Sequence, residues 1–159
     1  MMAHVEDGRY MSLELERSRT RNEYTLLETS PSLVVFSNSF VKSFGFTNIH
    51  SFFEGFLLLN GYGPRGRDAL WICTLGERGS IAAVVSRSEI KQFFHCPAAA
   101  HIDVFQGGVV DTLGAGDAFL AGLVVAIGIT PIHFDAAAVA IVTYATNTAG
   151  EKIQTFGLL

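Results

Sequence analysis

Two long segments near the C-terminus, Gly114–Gly128 and Phe134–Ala149, are apolar on almost every face of the helices they would form. Such a helix is stable in water only when most of its surface is buried. The longest apolar stretch, Phe119–Ile129, has eleven residues, well short of the roughly 20 that a membrane-spanning helix requires. We therefore expect two helices buried in a globular core, and no membrane partner.

Short apolar runs before these helices predict the strands of a sheet. Tyr10–Glu16 alternates apolar and polar residues, as a half-buried strand does, and Leu33–Phe36 is typical of a strand buried on both faces. Further strands are predicted at Ala69–Thr74, Ile81–Val85 and Ile90–His95, and helices at Thr20–Thr29, Phe40–Phe46 and Ile49–Leu59. Gly150 would end the last helix. This alternation predicts an α/β fold, a doubly wound sheet with flanking helices.

Composition narrows the possible partners and the compartment. The chain has 11 Lys+Arg against 15 Asp+Glu, a net charge of −4, and no basic stripe, so nucleic acid is not an expected partner. Cys73 and Cys96 form no CxxC pair, which argues against a zinc site and for two reduced, buried thiols. The first twenty residues are rich in charge and contain no apolar signal segment. We therefore expect a cytoplasmic protein.

One glycine motif is set aside because its context is wrong. Gly61–Gly66 fits the GxGxxG dinucleotide-binding pattern, but that pattern requires a strand before the glycines and a helix after them. Here a predicted helix precedes the glycines and a predicted strand follows. We interpret Gly61–Gly66 as a loop.

The glycine-rich segment Gly107–Gly122 places a turn at the start of a buried helix. The N–H groups of residues 114–117 would form an anion site there, and the helix dipole would add partial positive charge. Residues 92–151 contain neither Lys nor Arg, so a bound phosphate would rely on these N–H groups or on cations from elsewhere. Asp117 has two interpretations at this position. It either accepts a proton from an attacking hydroxyl, or it caps the helix and complements its dipole.

Two motifs resemble those of a known enzyme family. Asp111–Asp117, DTLGAGD, resembles the DTxGAGD signature of the phosphofructokinase B (pfkB), or ribokinase-like, carbohydrate kinases, and Thr74–Gly79, TLGERG, resembles the family's nucleotide loop TLGxxG. Within the family the chain is most similar to the C-terminal half of the ketohexokinases. Segments similar to that half occur in order at Ser12–Arg17, Leu33–Ser37, Phe44–Phe46 and Ala149–Lys152.

The resemblance implies a role for each matching residue. Asp117 would be the general base, and the N–H groups of Gly114, Ala115 and Gly116 would form the anion hole for the transferred group. The nucleotide would contact Thr74, Gly76 and Gly79, with Thr146 and Asn147 near the adenine. Asp111 would help to seat a monovalent cation such as K⁺, or would order the turn before the helix.

The implied activity is ATP-dependent phosphorylation of a hydroxyl of a ketose such as fructose, with ATP and Mg²⁺ as cofactors. The alternative is a non-catalytic relative that binds a nucleotide or a protein partner. Val41 replaces the Glu of the family's NxxE motif at Asn38–Val41, which leaves open how magnesium would be organised. We expect residues 1–159 to be the C-terminal, nucleotide-binding and catalytic-base part of a kinase domain. The N-terminal part, which binds sugar, forms a lid and can supply a homodimer contact, would be absent.

Overall fold

The computed structural model describes residues 12–16, 31–60, 68–86, 89–98, 114–129 and 134–154. The chain divides into two compact units. The first unit comprises Met1–Leu75 and Ile81–Phe94, and the second comprises Gly76–Ser80 and His95–Leu159. The predicted helix at 20–29 and the loop at 61–66 lie outside the described residues.

The sheet has five strands, which lie side by side in the order in which they occur in the chain. They are β1 (Ser12–Leu15), β2 (Leu33–Ser37), β3 (Asp68–Thr74), β4 (Ser80–Ser86) and β5 (Glu89–Cys96). The first three strands are parallel, with Leu15 opposite Phe36 and Ser37 opposite Thr74. The connections into β4 and β5 are too short for a crossover, so these strands must run antiparallel to their predecessors. The predicted α/β sheet with flanking helices is confirmed.

Two helices of the first unit follow β2. Helix α1 (Asn38–Ser43) begins where the Ser37 hydroxyl accepts the Phe40 N–H at 3.0 Å, and α2 spans Ile49–Asn60. The predicted helix at 40–46 was wrong at both ends. The Ser37 cap starts α1 before Phe40. The helix ends at Ser43 and is followed by a turn in which the Gly45 N–H donates to the Lys42 carbonyl at 2.9 Å.

The core of the first unit is built around one phenylalanine. Phe36 on β2 is fully buried, and its ring centroid lies between 5.3 and 5.9 Å from those of five other aromatic residues. These neighbours are Phe40, Phe52, Phe53, Phe56 and Trp71. Tilted and edge-to-face pairs of this kind stabilise a core beyond the area they bury.

Replacing this central ring tests the packing. We expect Phe36→Ala to lower the free energy of unfolding by about 3–5 kcal/mol, because it removes a large buried ring and leaves a cavity. A denaturant titration followed by the fluorescence of Trp71, the only tryptophan of the chain, measures this change. Leu58→Ala on α2 is the control, since Leu58 is 83% exposed and should change the stability by less than about 0.5 kcal/mol. Equal effects of the two substitutions would contradict the packing described here.

The second unit contains the two long helices, α3 (Ala115–Ile129) and α4 (Phe134–Gln154). They pack against each other at Gly122, where a Cβ would lie only 2.9 Å from the Ala145 Cα and 3.1 Å from the Thr148 hydroxyl. A glycine is therefore what lets the two backbones approach this closely. No helix among the described residues is long and apolar enough to cross a membrane.

Two predictions about these helices were wrong. Helix α4 continues through Gly150 to Gln154, since the roughly 0.5–1 kcal/mol that a glycine costs inside a helix is small for a helix of 21 residues. Burial on most faces is also contradicted, because Val124 is 67% exposed and Ile129 is 75% exposed. Helix α4 likewise exposes Val139 and Tyr144, each by 47%.

Candidate functional site

The start of α3 is an anion-binding geometry built from backbone groups. Gly114 precedes the helix with φ 78°, a conformation that favours glycine, and its carbonyl accepts the Ala118 N–H at 2.9 Å. This is the first hydrogen bond of the helix, so the N–H groups of Ala115, Gly116 and Asp117 have no acceptor within it. Together with the helix dipole they favour a bound anion, as the glycine pattern predicts.

The space beside Gly116 is open. Gly116 is exposed, and a Cβ built on it would meet no atom within 4 Å. Asp117 lies in the first turn of α3 and is also exposed. Its carboxylate is therefore accessible to a ligand, as a general base must be. A carboxylate in the first turn also stabilises the helix dipole, so both interpretations of Asp117 are compatible with its place.

The loop after β3 is held by a hydrogen bond and by a close backbone contact. Gly76–Arg78 forms a 3₁₀ turn, which the Gly79 N–H closes by donating to the Gly76 carbonyl at 2.9 Å. Gly79 has φ 84°, and a Cβ there would overlap the Cys96 carbonyl oxygen and the Ala98 nitrogen. Gly79 is thus required by the fold itself. Gly76 is exposed, with open space where its Cβ would be.

Helix α4 is bonded to this loop through two buried hydroxyl groups. The Thr146 hydroxyl donates to the Val142 carbonyl at 2.8 Å, and the Ser80 hydroxyl lies 3.3 Å away. Because a hydroxyl has one proton to donate, Ser80 is the donor to Thr146. Ser80 was not among the predicted site residues, although its place directly after TLGERG was a usable signal.

The predicted site residues fall into both units. The second unit contains Gly76, Gly79, Thr146, Asn147 and the whole stretch Gly114–Asp117. Of these, α4 brings Thr146 to the loop that ends at Ser80, while Asn147 is exposed. Thr74, at the end of β3, belongs to the first unit. The roles assigned to these residues stay predictions.

One basic side chain that the sequence analysis did not assign lies at the start of α3. Lys152 is in the last turn of α4, and its Cε is 3.7 Å from the position that a Cβ of Gly114 would occupy. The cation lies 38 positions after the glycine in the sequence, so no local pattern connects the two residues. Packing of α4 against α3 brings them together.

The position of the Glu in the NxxE motif carries no metal ligand in this chain. Val41, at the position of the Glu in NxxE, is fully buried in the aromatic core. In the part of the chain that the structure describes, no group of three or more His, Cys, Asp or Glu residues could hold a metal ion. Asp111, the predicted contact of a monovalent cation, lies outside that part.

Comparison with known proteins agrees with the motifs. Residues 59–158 match the sequence profile described as pfkB family carbohydrate kinase. No curated protein matches the chain significantly.

Solved kinases share the fold. A fructokinase from Vibrio cholerae O395, solved with fructose, ADP and calcium, is 19% identical to this chain with a TM-score of 0.62. The match covers 93% of this chain and 46% of the fructokinase chain. An aminoimidazole riboside kinase from Salmonella enterica, complexed with aminoimidazole riboside and an ATP analog, is 19% identical to this chain with a TM-score of 0.61. The match covers 91% of this chain and 46% of that kinase. Another form of the fructokinase was solved with fructose, ADP and potassium. The chain thus spans just under half the length of these structures.

Proposed function

The chain belongs to the pfkB family of carbohydrate kinases, and we propose on that basis that it acts in the transfer of a phosphoryl group from ATP to a hydroxyl of a ketose such as fructose. One observation carries the proposal. The start of α3 combines N–H groups that have no acceptor within the helix, open space at Gly116 and an exposed Asp117 carboxylate. Phosphoryl transfer requires mainly these elements, namely positioning, charge stabilisation and a base.

Each group has one part in the proposed reaction. The hydroxyl oxygen of the acceptor attacks the γ-phosphorus, and the bond from that phosphorus to the oxygen bridging the β-phosphate breaks. ADP leaves with the electron pair of that bond. Asp117 accepts the proton of the hydroxyl. The N–H groups of Ala115 and Gly116, and that of Gly114, stabilise the charge on the transferred group.

The nucleotide is proposed to lie along the loop Gly76–Ser80 and helix α4. The exposed Gly76 and Asn147 are accessible to a ligand. Thr146 is buried and its hydroxyl is engaged by Ser80 and Val142, so any role near the adenine would be packing rather than hydrogen bonding. The fructokinase and the aminoimidazole riboside kinase, solved with ADP and with an ATP analog, support a nucleotide on this fold.

Neither Mg²⁺ nor K⁺ is given a step in the proposed reaction. Magnesium commonly binds to proteins through substrate phosphates together with one or two carboxylates, and the described residues contain no group of three or more His, Cys, Asp or Glu residues that could hold it without phosphates. No step of the proposed reaction depends on a residue holding that ion. A K⁺ ion near Asp111 remains a proposal, supported by the potassium form of the fructokinase.

We assign to residues 1–159 the nucleotide-binding and catalytic-base part of a kinase domain. Because the chain corresponds to just under half of the solved kinases, the acceptor sugar and a homodimeric state are proposals about the whole protein. The two enzymes compared above act on different acceptors by their names, so the fold alone does not select fructose.

The proposed function predicts saturable nucleotide binding by residues 1–159 and acceptor-dependent turnover by a version of the protein restored to full length. Calorimetry with a non-hydrolysable ATP analogue measures the first, and ADP formation by the full-length version with fructose, an aldohexose and a nucleoside measures the second. We expect fructose to give the largest increase in ADP formation. Nucleotide binding without turnover of any acceptor would identify a non-catalytic relative, and the absence of nucleotide binding would contradict the proposal.

A further inference from the structure

The second unit carries an unfavourable charge for a phosphate-binding unit. Its residues include only two that are basic, Arg78 and Lys152. Six are acidic, namely Glu77, Asp103, Asp111, Asp117, Asp135 and Glu151. This gives a net charge of −4 at neutral pH with His neutral. A nucleoside triphosphate is itself a polyanion, so like-charge repulsion opposes its binding unless a cation lies at the phosphates.

Of the two basic residues, Lys152 has its side chain at the start of α3. Its Cε lies 3.7 Å from the Cβ position of Gly114. Its ammonium nitrogen is one bond further on. Because Gly114 has no side chain, the Lys152 stem lies directly beside the residue that begins the anion site.

The fold explains why Lys152 is there. Gly114 meets Lys152, whereas Gly122 meets Ala145 and Thr148. The contacts run in opposite order along the two helices, so α3 and α4 are antiparallel. Residues 145, 148 and 152 share one face of α4, since residues three, four and seven positions apart lie above one another. The continuation of α4 through Gly150 keeps Lys152 on that face.

We propose that the Lys152 ammonium binds the phosphoryl group that the N–H groups of Ala115 and Gly116 receive, an inference that rests on the proposed kinase function. The backbone supplies partial charges only, whereas a lysine supplies a full positive charge on a flexible stem. A charge-assisted hydrogen bond to phosphate is roughly twice as strong as a neutral one. Lys152 thereby compensates the repulsion from Asp117 without taking the proton of the acceptor.

A structural role of Lys152 has to be distinguished from this binding role. A lysine in the last turn of a helix also complements the helix dipole. Lys42 is in the same position in α1 and is exposed, so Lys42→Gln is the matched control. Lys152→Arg keeps the charge, and Lys152→Gln removes it with a similar length.

The test compares ligands that differ in phosphate. Calorimetry is carried out on the whole chain and its variants with a non-hydrolysable ATP analogue and with adenosine. We expect Lys152→Gln to weaken binding of the triphosphate by about tenfold or more, because it removes a charge-assisted bond. Adenosine binding should not change. Lys152→Arg should retain most of the triphosphate affinity, and Lys42→Gln should retain all of it.

Three results would overturn the inference, and they are distinguishable. Equal triphosphate affinity of the original chain and Lys152→Gln would show that Lys152 does not bind phosphate, while the proposed nucleotide binding stands. Equal losses for triphosphate and adenosine would assign Lys152 a structural role. If the original chain binds neither ligand, the proposed function fails together with the inference.

A second measurement does not depend on a variant. Acetylation of lysines by an amine-reactive reagent is read by mass spectrometry with and without the ATP analogue. We expect the analogue to slow acetylation of Lys152 several-fold and to leave Lys42 unaffected. Equal protection of both lysines, or of neither, would contradict a phosphate contact at Lys152.

Discussion

In a version of the protein restored to full length, Asp117→Asn is expected to lower the rate of phosphoryl transfer by a factor of about 10²–10⁴, the usual contribution of a general base. Asparagine keeps the size of the side chain and an oxygen that accepts hydrogen bonds, but it cannot take the proton of the acceptor. Affinity for the ATP analogue should stay the same or rise, because a negative charge beside the phosphates is removed. Acceptor-dependent ADP formation and calorimetry measure the two quantities.

The control for this substitution is Glu54→Gln. Glu54 is an exposed carboxylate on α2 in the first unit, so neutralising it should leave both the rate and the nucleotide affinity unchanged. If Asp117→Asn weakened nucleotide binding with no loss of rate, Asp117 would be a binding residue. If it only destabilised the chain by the 0.3–1 kcal/mol typical of a helix-dipole charge, the capping interpretation would hold.

In the same full-length version, Gly116→Val is expected to reduce both nucleotide affinity and turnover by about 100-fold or more, because its side chain blocks the approach of a phosphate to N–H donors whose loss costs roughly 10²–10³ in rate. The branched side chain would occupy the space in front of the N–H groups. No atom lies within 4 Å of the Cβ position, and valine favours a helix more than glycine does. The fold should therefore be retained, and calorimetry with the ATP analogue checks the affinity.

Gly128→Val on the same helix is the matched control for Gly116→Val. Gly128 also has no atom within 4 Å of its Cβ position and is exposed, but it lies in the last turn of α3. Nucleotide affinity should not change in this variant. Similar losses for both valines would show that a general effect on α3, rather than blocked access to the N–H groups, explains the result.

Much of the architecture follows from local patterns. The apolar runs at 33–36 and 69–74 predict β2 and β3, because a strand buried on both faces needs apolar side chains at successive positions. The segment from Gly114 predicts the start of α3. The DTLGAGD and TLGERG motifs identify the family, which the profile match over residues 59–158 confirms.

Other features depend on contacts between distant residues. Ser80 and Thr146, 66 positions apart, share a buried hydrogen bond, and this bond engages a hydroxyl that the sequence suggests for the nucleotide. Val41 is a core residue because α1 packs onto the aromatic cluster of Phe36. Neither fact is visible in a local pattern, since each depends on which faces of two elements meet.

The sequence by itself determined the kind of each main element, the family and the helix start at Gly114, because periodicity, glycine placement and short motifs act over a few residues. The tertiary structure decided that α4 passes through Gly150 and that Lys152 lies beside Gly114. The physical reason for the place of Lys152 is the close approach of α3 and α4 at Gly122. That packing sets which residue of α4 faces the start of α3, and no local propensity encodes it.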